Sequence, residues 1–272
     1  GLSYHSGGDK PYWCEDFCYA FNAGQINRLE NATNTLHELC MRAAERLIAG
    51  GDLDRLLIPR DFQPLIERSW RRSDPCLYGR FDLAFDGENP PKMLEYNADT
   101  PTALLEAAVA QWWWLEETRP AADQFNSLHE RLIAGWKTLA ADGPADGGVH
   151  FAGVLDAEED RVTIEYLQDV CQQAGVPTCA LDVADIGWNG GAFTDLDERP
   201  IRRLFKLYPW EWLLQESFAQ HLQKSDVRFI EPPWKMVLST KAILPILWEM
   251  FPDHPNLLPA AFERSSLVGA CV

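Results

Sequence analysis

The stretch Leu77-Tyr78-Gly79-Arg80-Phe81-Asp82-Leu83-Ala84-Phe85 runs into Asp86-Gly87-Glu88-Asn89-Pro90-Pro91 and then into Lys92-Met93-Leu94-Glu95-Tyr96-Asn97-Ala98. From Leu77 to Phe85 the odd positions are apolar or Gly, while the even ones are Tyr78, Arg80, Asp82 and Ala84. Such alternation marks a strand with two unlike faces. The middle segment is turn chemistry, so a returning strand is expected over 92–98. If Gly87–Pro90 form the loop, Asp82 lies opposite Glu95 and Arg80 opposite Asn97. All four side chains then share one face.

Directly opposed residues have Cβ atoms about 5 Å apart, and like charges so placed repel. A cation held between Asp82 and Glu95 would remove that repulsion. Two carboxylates with the Asn97 carbonyl are hard oxygen donors suited to Mg²⁺, which leaves room for water and nucleotide phosphates. Arg80 beside them could neutralise a transferring phosphoryl group. The same pattern also fits an exposed hairpin whose polar face is simply solvated. A one-residue slip in register would turn the four residues away from one another.

Working outward, Thr100-Pro101-Thr102 reads as the cap and first turn of a helix over 103–117. A helix beginning at Thr100 would aim unpaired N–H groups at the neighbourhood of Asn97. A carboxylate or phosphate could sit there, bound also by the hydroxyls of Thr100 and Thr102. Those hydroxyls serve equally well as plain caps. Upstream, Ile26, Leu29, Thr33, Leu36, Cys40, Ala43 and Leu47 form a helical stripe over 24–49 that Gly50-Gly51 ends, and a second helix is expected over 61–72. Downstream come a helix over 123–139 and a linker-like stretch over 140–148. Strands over 149–155, 178–183, 203–208 and 227–230 then alternate with helices over 160–173, 210–222 and 240–250. That alternation argues for an α/β layer with parallel strands. Three regions are expected: 1–148, helices plus the hairpin; 149–230, an α/β substrate-binding region; and 231–272, the start of a nucleotide-binding region.

The acidic run Asp156-Ala157-Glu158-Glu159-Asp160 follows the first of those strands. Acids at strand C-termini can line a cleft and hold a protonated amine, or they can charge the first turn of the next helix. Neither a Walker-type glycine loop nor a GxGxxG run occurs, so nucleotide binding needs another device. Lys206, Lys235 and Lys241 end apolar segments and are candidates for phosphate contacts.

Of 272 residues, 46% are hydrophobic and 24% charged, enough for a sizeable folded core. The formal net charge of −17 argues against nucleic acid or an anionic membrane as partner. It suits a cationic amine, although an acidic surface also serves solubility. Seven Cys without a CxxC pair read as reduced thiols of a cytoplasmic protein, and the six His form no zinc spacing.

The segments Tyr78-Gly79-Arg80-Phe81-Asp82 and Leu94-Glu95-Tyr96-Asn97-Ala98-Asp99-Thr100-Pro101-Thr102 resemble the glutathionylspermidine-synthetase family. So do Glu231-Pro232-Pro233-Trp234-Lys235 and the run 238–259, with Lys241 and Phe251-Pro252-Asp253-His254-Pro255-Asn256-Leu257-Leu258-Pro259. The early Pro11-Tyr12-Trp13 and Asn31-Ala32-Thr33 look similar too, and the likeness covers roughly residues 4–262. The resemblance implies an ATP-grasp fold related to glutathione synthetase and an ATP- and Mg²⁺-dependent ligase that joins a carboxylate to an amine through an acyl-phosphate. It implies Asp82, Glu95 and Asn97 as magnesium ligands and Arg80 as the arginine that stabilises the transferred phosphoryl group. It implies Thr100 and Thr102 at a glutathione-like peptide acid, Glu158 and Glu159 near a polyamine-like amine, and Lys241 at ATP. A Cys/His amidase segment like that of the bifunctional members is not expected before the synthetase-like part, nor is hydrolysis of the product. The chain stops where the family continues into a glycine-containing ATP loop, and Arg264–Val272 does not read on from Phe262-Glu263, so the grasp is expected to be incomplete. Leu207 stands where spermidine-type members have a smaller, more polar residue, which points away from spermidine. The competing reading is a non-catalytic small-molecule or peptide-binding protein that kept this fold.

Overall fold

The computed structural model describes residues 13–141 and 148–263. Its helices are α1 (Ala23–Gly50), α2 (Gln63–Arg71), α3 (Gln111–Thr118), α4 (Leu128–Ala141), α5 (Glu158–Gln173), α6 (Trp210–Leu213), α7 (Met236–Ser239) and α8 (Ile243–Met250). Its strands are β1 (Arg80–Ala84), β2 (Lys92–Asn97), β3 (Val149–Gly153), β4 (Thr178–Asp182), β5 (Gly187–Trp188), β6 (Phe193–Thr194), β7 (Arg203–Leu207) and β8 (Arg228–Ile230). The chain divides into two compact units. A sheet unit takes Gly1–Ala20, Thr102–Pro209 and Lys224–Ile230, and a hairpin unit takes Phe21–Pro101, Trp210–Gln223 and Glu231–Val272.

In the sheet unit the strands run β4-β3-β7-β8, every neighbouring pair parallel. The expected α/β class therefore holds. β3 and β7 are the inner strands of the sheet and almost wholly buried, as parallel strands covered on both faces are. Phe151 and Phe205 lie tilted at 5.3 Å with Trp136 of α4 against both. α5 turns Ile164, Leu167, Val170 and Cys171 inward, all almost fully buried. At Gly153 strand and helix approach closely: a Cβ there would sit 2.6 Å from Ile164 Cδ1, so a larger residue would require the Ile164 side chain to move. The pair β5–β6 is too short to declare itself by periodicity, and the sequence reading has no strand there.

In the hairpin unit α1 runs from a capping box, Asn22 and Gln25 each accepting from the other's backbone N–H at 2.9 Å, to Gly51 at φ 71°. Its buried face, Leu36, Leu39, Cys40, Ala43 and Leu47, packs on α2, α7 and α8. β1 and β2 pair antiparallel, with Arg80 opposite Asn97, Phe81 opposite Tyr96 and Asp82 opposite Glu95. The expected register is met at these positions. Beyond Asp82 it shifts, so that Leu83 faces Met93 and Ala84 faces Lys92. The bulge is set from outside the hairpin: Met93 N–H donates to the Asn256 carbonyl, while the Asn256 side-chain amide donates to Pro91 O at 2.8 Å. The turn is closed by Asp86, which accepts from the N–H groups of Glu88 and Asn89, and Arg28 of α1 donates to Glu88 O at 2.5 Å.

Some expected elements end differently. The helix read over 210–222 is two short pieces, α6 and a 3-10 turn over Ser217–His221, with Glu216 extended between them. The helix read from Thr100 starts instead at Leu104, after Ala103 at φ 62°, and is π-helical over Glu106–Ala110 before α3. The linker read over 140–148 falls largely on 142–147, and the tail reading on 264–272, both outside the described residues.

Under the hairpin lies a charged pair. Lys235 donates to Glu231 at 2.7 Å, with side chains 1% and 0% exposed. Glu231 also accepts from the N–H groups of Leu77 and Tyr78, and Lys235 donates to Tyr78 O at 2.6 Å. Burial works to lower the Lys235 pKa, and the Glu231 carboxylate together with Tyr96 and Cys76 outweighs this and raises it. Removing one member leaves a buried charge uncompensated, so Lys235→Met should cost about 3–5 kcal/mol in chemical denaturation. Lys235→Met with Glu231→Gln should cost less than the two single changes added; simple additivity would mean that the pair is not coupled. In the turn, hydrogen bonds from the Asn89 side chain and from backbone N–H groups hold the Asp86 carboxyl at about 2. Its contribution is therefore present above about pH 4 and lost as the pH falls through about 2. Carboxyl NMR titration of Asp86 should give that low midpoint, and an ordinary one would mean an unformed turn.

Candidate active site

The open end of the β1–β2 hairpin carries the residues singled out for chemistry. Side-chain parity along β1 and β2 puts Arg80, Asp82, Glu95 and Asn97 on one face, while Phe81 and Tyr96 stack at 4.0 Å on the other. Gly79 belongs to that second face, since a Cβ there would lie 2.8 Å from Tyr96 Cε2. The apolar face seats the hairpin and the polar face meets solvent, with Asp82 and Glu95 side chains 41% and 36% exposed.

Each acid already has a cationic neighbour. Arg80 Nε donates to Asp82 Oδ1 at 2.7 Å, with a longer contact from Nη2 to Oδ2, and Lys241 Nζ pairs with Glu95 Oε2. Lys241 is 72% exposed. Ion pairs this open are worth about 0–1 kcal/mol, so both are readily exchanged for a stronger partner. Asn97 turns its Oδ1 to the Thr100 N–H at 3.2 Å and its Nδ2 to the Thr100 carbonyl. That closes the turn leaving β2 and leaves Oδ1 one further lone pair. The donor set of two partly exposed carboxylates and one amide oxygen fits a hard divalent cation.

Sequence reasoning brings Arg80, Asp82, Glu95, Asn97, Thr100 and Lys241 into one unit, and the geometry gathers them around the hairpin end. The expected role of Thr100 as a helix cap is corrected: Asn97 takes its N–H, and the helix begins four residues on. Thr102, Glu158 and Glu159 lie in the sheet unit. Glu158 and Glu159 are exposed in the first turn of α5, where they complement its dipole. Lys235 and Lys206 are corrected as phosphate contacts. Both are 1% exposed, Lys235 being consumed by Glu231 and Tyr78, and Lys206 donating to Tyr208 O at 3.0 Å.

The residues that hold the site in place escaped sequence reasoning. Glu231 fixes the backbone entering β1. Asp99, one residue beyond Ala98, accepts from the Trp210 N–H at 2.8 Å, and Trp210 Nε1 donates to Glu231 O. Asn256 fixes β2. All three act across more than a hundred residues of chain, which no local pattern reveals.

Comparisons with known proteins cover nearly the whole chain. The family described as glutathionylspermidine synthase preATP-grasp matches residues 1–271. A Haemophilus influenzae protein provisionally named an acid–amine ligase is 46% identical over 276 residues, covering 98% of this chain and 70% of that protein. Trypanothione synthetase of Crithidia fasciculata is 28% identical and the bifunctional glutathionylspermidine synthetase/amidase of Escherichia coli 29%. They match 84% and 90% of this chain, which spans 39% and 43% of their lengths. A glutathione synthetase-like effector from Globodera pallida, in apo form, superposes with a TM-score of 0.55 at 13% identity over 85% of this chain and 59% of its own. That likeness concerns the fold. Among the described residues no helix is long and apolar enough to cross a membrane. By its match over nearly every residue, the chain belongs to the glutathionylspermidine synthase preATP-grasp family.

Proposed function

We propose that this chain carries the metal- and phosphate-handling hairpin of an ATP- and Mg²⁺-dependent ligase that joins a peptide-like carboxylate to an amine. The observation that carries the reading is the strand register that sets Asp82 against Glu95 and Arg80 against Asn97 on one solvent-facing surface. Family membership supports the reaction class. Asp82, Glu95 and Asn97 Oδ1 would hold Mg²⁺. ATP and Mg²⁺ supply the phosphoryl group and the charge neutralisation that make a carboxylate attackable by an amine.

The remaining work falls to residues of the chain. Arg80, freed from Asp82, offers a planar fork of donors that matches phosphoryl or carboxylate oxygens. Lys241, freed from Glu95, is an exposed ammonium able to reach a phosphate. In the present arrangement the two cations occupy the charge that a metal and nucleotide would meet, which keeps the opposed acids from repelling each other. The net charge of −17 favours accumulation of a cationic amine such as a polyamine. Thr100 and Thr102 remain candidates for the peptide acid, and Glu158 and Glu159 for the amine. The ion pairs on both acids also suit a second reading, a protein that binds such ligands without turnover.

Mg²⁺-dependent ADP release, measured with a panel of peptide acids and amines, separates the readings. Asp82→Ala and Glu95→Ala should each keep the wild-type circular dichroism and lose about a hundredfold or more in ADP release. Arg80→Lys should fall comparably although the charge is kept, because the fork is lost. Unchanged turnover in both acid variants would remove the hairpin from the chemistry. Peptide binding with no ADP under any pairing would favour the binding protein.

A further inference from the structure

Away from the hairpin, the sheet unit gathers a second constellation that neither the family nor the proposed reaction assigns. His150 of β3 and Cys179 of β4 are register partners on neighbouring parallel strands, with β4 at the sheet edge. Asp195 follows β6 directly. One ligand atom from each of the three lies within 4.8 Å of the others. His150 and Asp195 side chains are only 13% and 3% exposed. We propose that His150, Cys179 and Asp195 form a binding site for a zinc-type divalent cation.

The geometry argues for it in three ways. His150 Nε2 and Asp195 Oδ2 are 3.3 Å apart, which is the edge of a tetrahedron whose ligands sit about 2.0–2.1 Å from zinc. The carboxylate is already aimed: Asp195 Oδ1 accepts from the N–H groups of Asp197 and Arg199, at 3.0 and 2.9 Å, turning Oδ2 toward the cluster. Ligating carboxylates are commonly oriented by such outer bonds. The histidine is uncommitted elsewhere, because its buried Nδ1 has no hydrogen-bond partner among the described residues. Cys179 Sγ completes the set within 4.8 Å of the other two ligand atoms.

The spot also selects positive charge. Arg199 Nε donates to Asp195 Oδ2 at 2.8 Å, and its Nη2 lies 4.0 Å from Cys179 Sγ. One guanidinium thus touches two of the three ligands and stands in for the cation. Arg199 is 60% exposed and also pairs with exposed Asp197, so it can swing outward without loss of burial. Nitrogen, sulfur and carboxylate donors together suit a borderline-soft ion such as Zn²⁺ rather than Mg²⁺. Bound there, the ion ties the edge strand β4 and the β5–β6 segment to β3.

Co²⁺ titration of the reduced full chain tests the site, since cobalt takes the place of zinc and reports thiolate ligation by absorption. One equivalent should bind with a cobalt–thiolate charge-transfer band. Cys179→Ser should abolish that band, although Cys14, Cys18 and Cys76 remain exposed. Arg199→Ala, which removes the competing cation, should tighten binding by up to about fivefold, the worth of an exposed ion pair. Zn²⁺ should raise the melting temperature of the wild type and leave that of Cys179→Ser unmoved. A wild-type chain with no such band, a band that survives Cys179→Ser, or weaker binding in Arg199→Ala would each overturn the proposal.

Discussion

The buried ion pair between Glu231 and Lys235 is the constraint on which the hairpin depends. Two charges taken out of water are a liability unless their remaining hydrogen-bonding capacity is met. Here it is met by backbone: Glu231 collects the N–H groups of Leu77 and Tyr78, and Lys235 collects the Tyr78 carbonyl. The pair therefore fixes where the chain enters β1, two residues before Arg80. In a strand, entry point decides parity, and parity decides which side chains share a face. A displacement of one residue at Tyr78 would send Arg80 and Asp82 to the side where Phe81 now stacks on Tyr96.

The same logic is repeated at the exit from β2. Asp99 is bound to the Trp210 N–H, and the Trp210 indole reaches back to the Glu231 carbonyl. Both ends of the functional surface are thus tied to one small group of buried polar contacts within the hairpin unit. The acids themselves are left in weak, open ion pairs. Strong bonds lie in the support and exchangeable ones at the surface, as a ligand-taking site requires.

Periodicity made much of this legible. Alternation over 77–85, turn residues over 86–91 and a matching return placed Asp82 opposite Glu95. The same count sets Leu83 against Leu94, whereas Leu83 faces Met93 and the bulge after Asp82 restores the expected pairing. The helical stripe of α1 and the parallel α/β layer followed from equally simple repeats. The pattern misled where a local signal had a tertiary competitor. Thr100-Pro101-Thr102 has the chemistry of a helix start, yet the Asn97 side chain claims the Thr100 N–H and Ala103 turns left-handed before the helix begins. Lys235 reads as a candidate phosphate contact at the end of an apolar segment, and it is a buried counter-ion instead. Glu231, Asp99 and Asn256 stand in segments that carry the family likeness, but their supporting roles show no local pattern because their partners are far away in sequence. Nor did His150, Cys179 and Asp195 show any metal spacing, since strand pairing joins the first two and the segment after β6, from a separate sheet, brings the third.

The slipped rung between Asp82 and Leu83 gives the hairpin two halves with separate accounting of residues. Positions up to Asp82 count from the buried pair, whereas Leu83 and Ala84 count from the contacts of Asn256 and Pro91. Changes in length or composition at the Asp86–Pro91 turn can be absorbed at that irregularity without rotating the charged face. The tip of the hairpin is in this way free to diverge while the business end keeps its alignment.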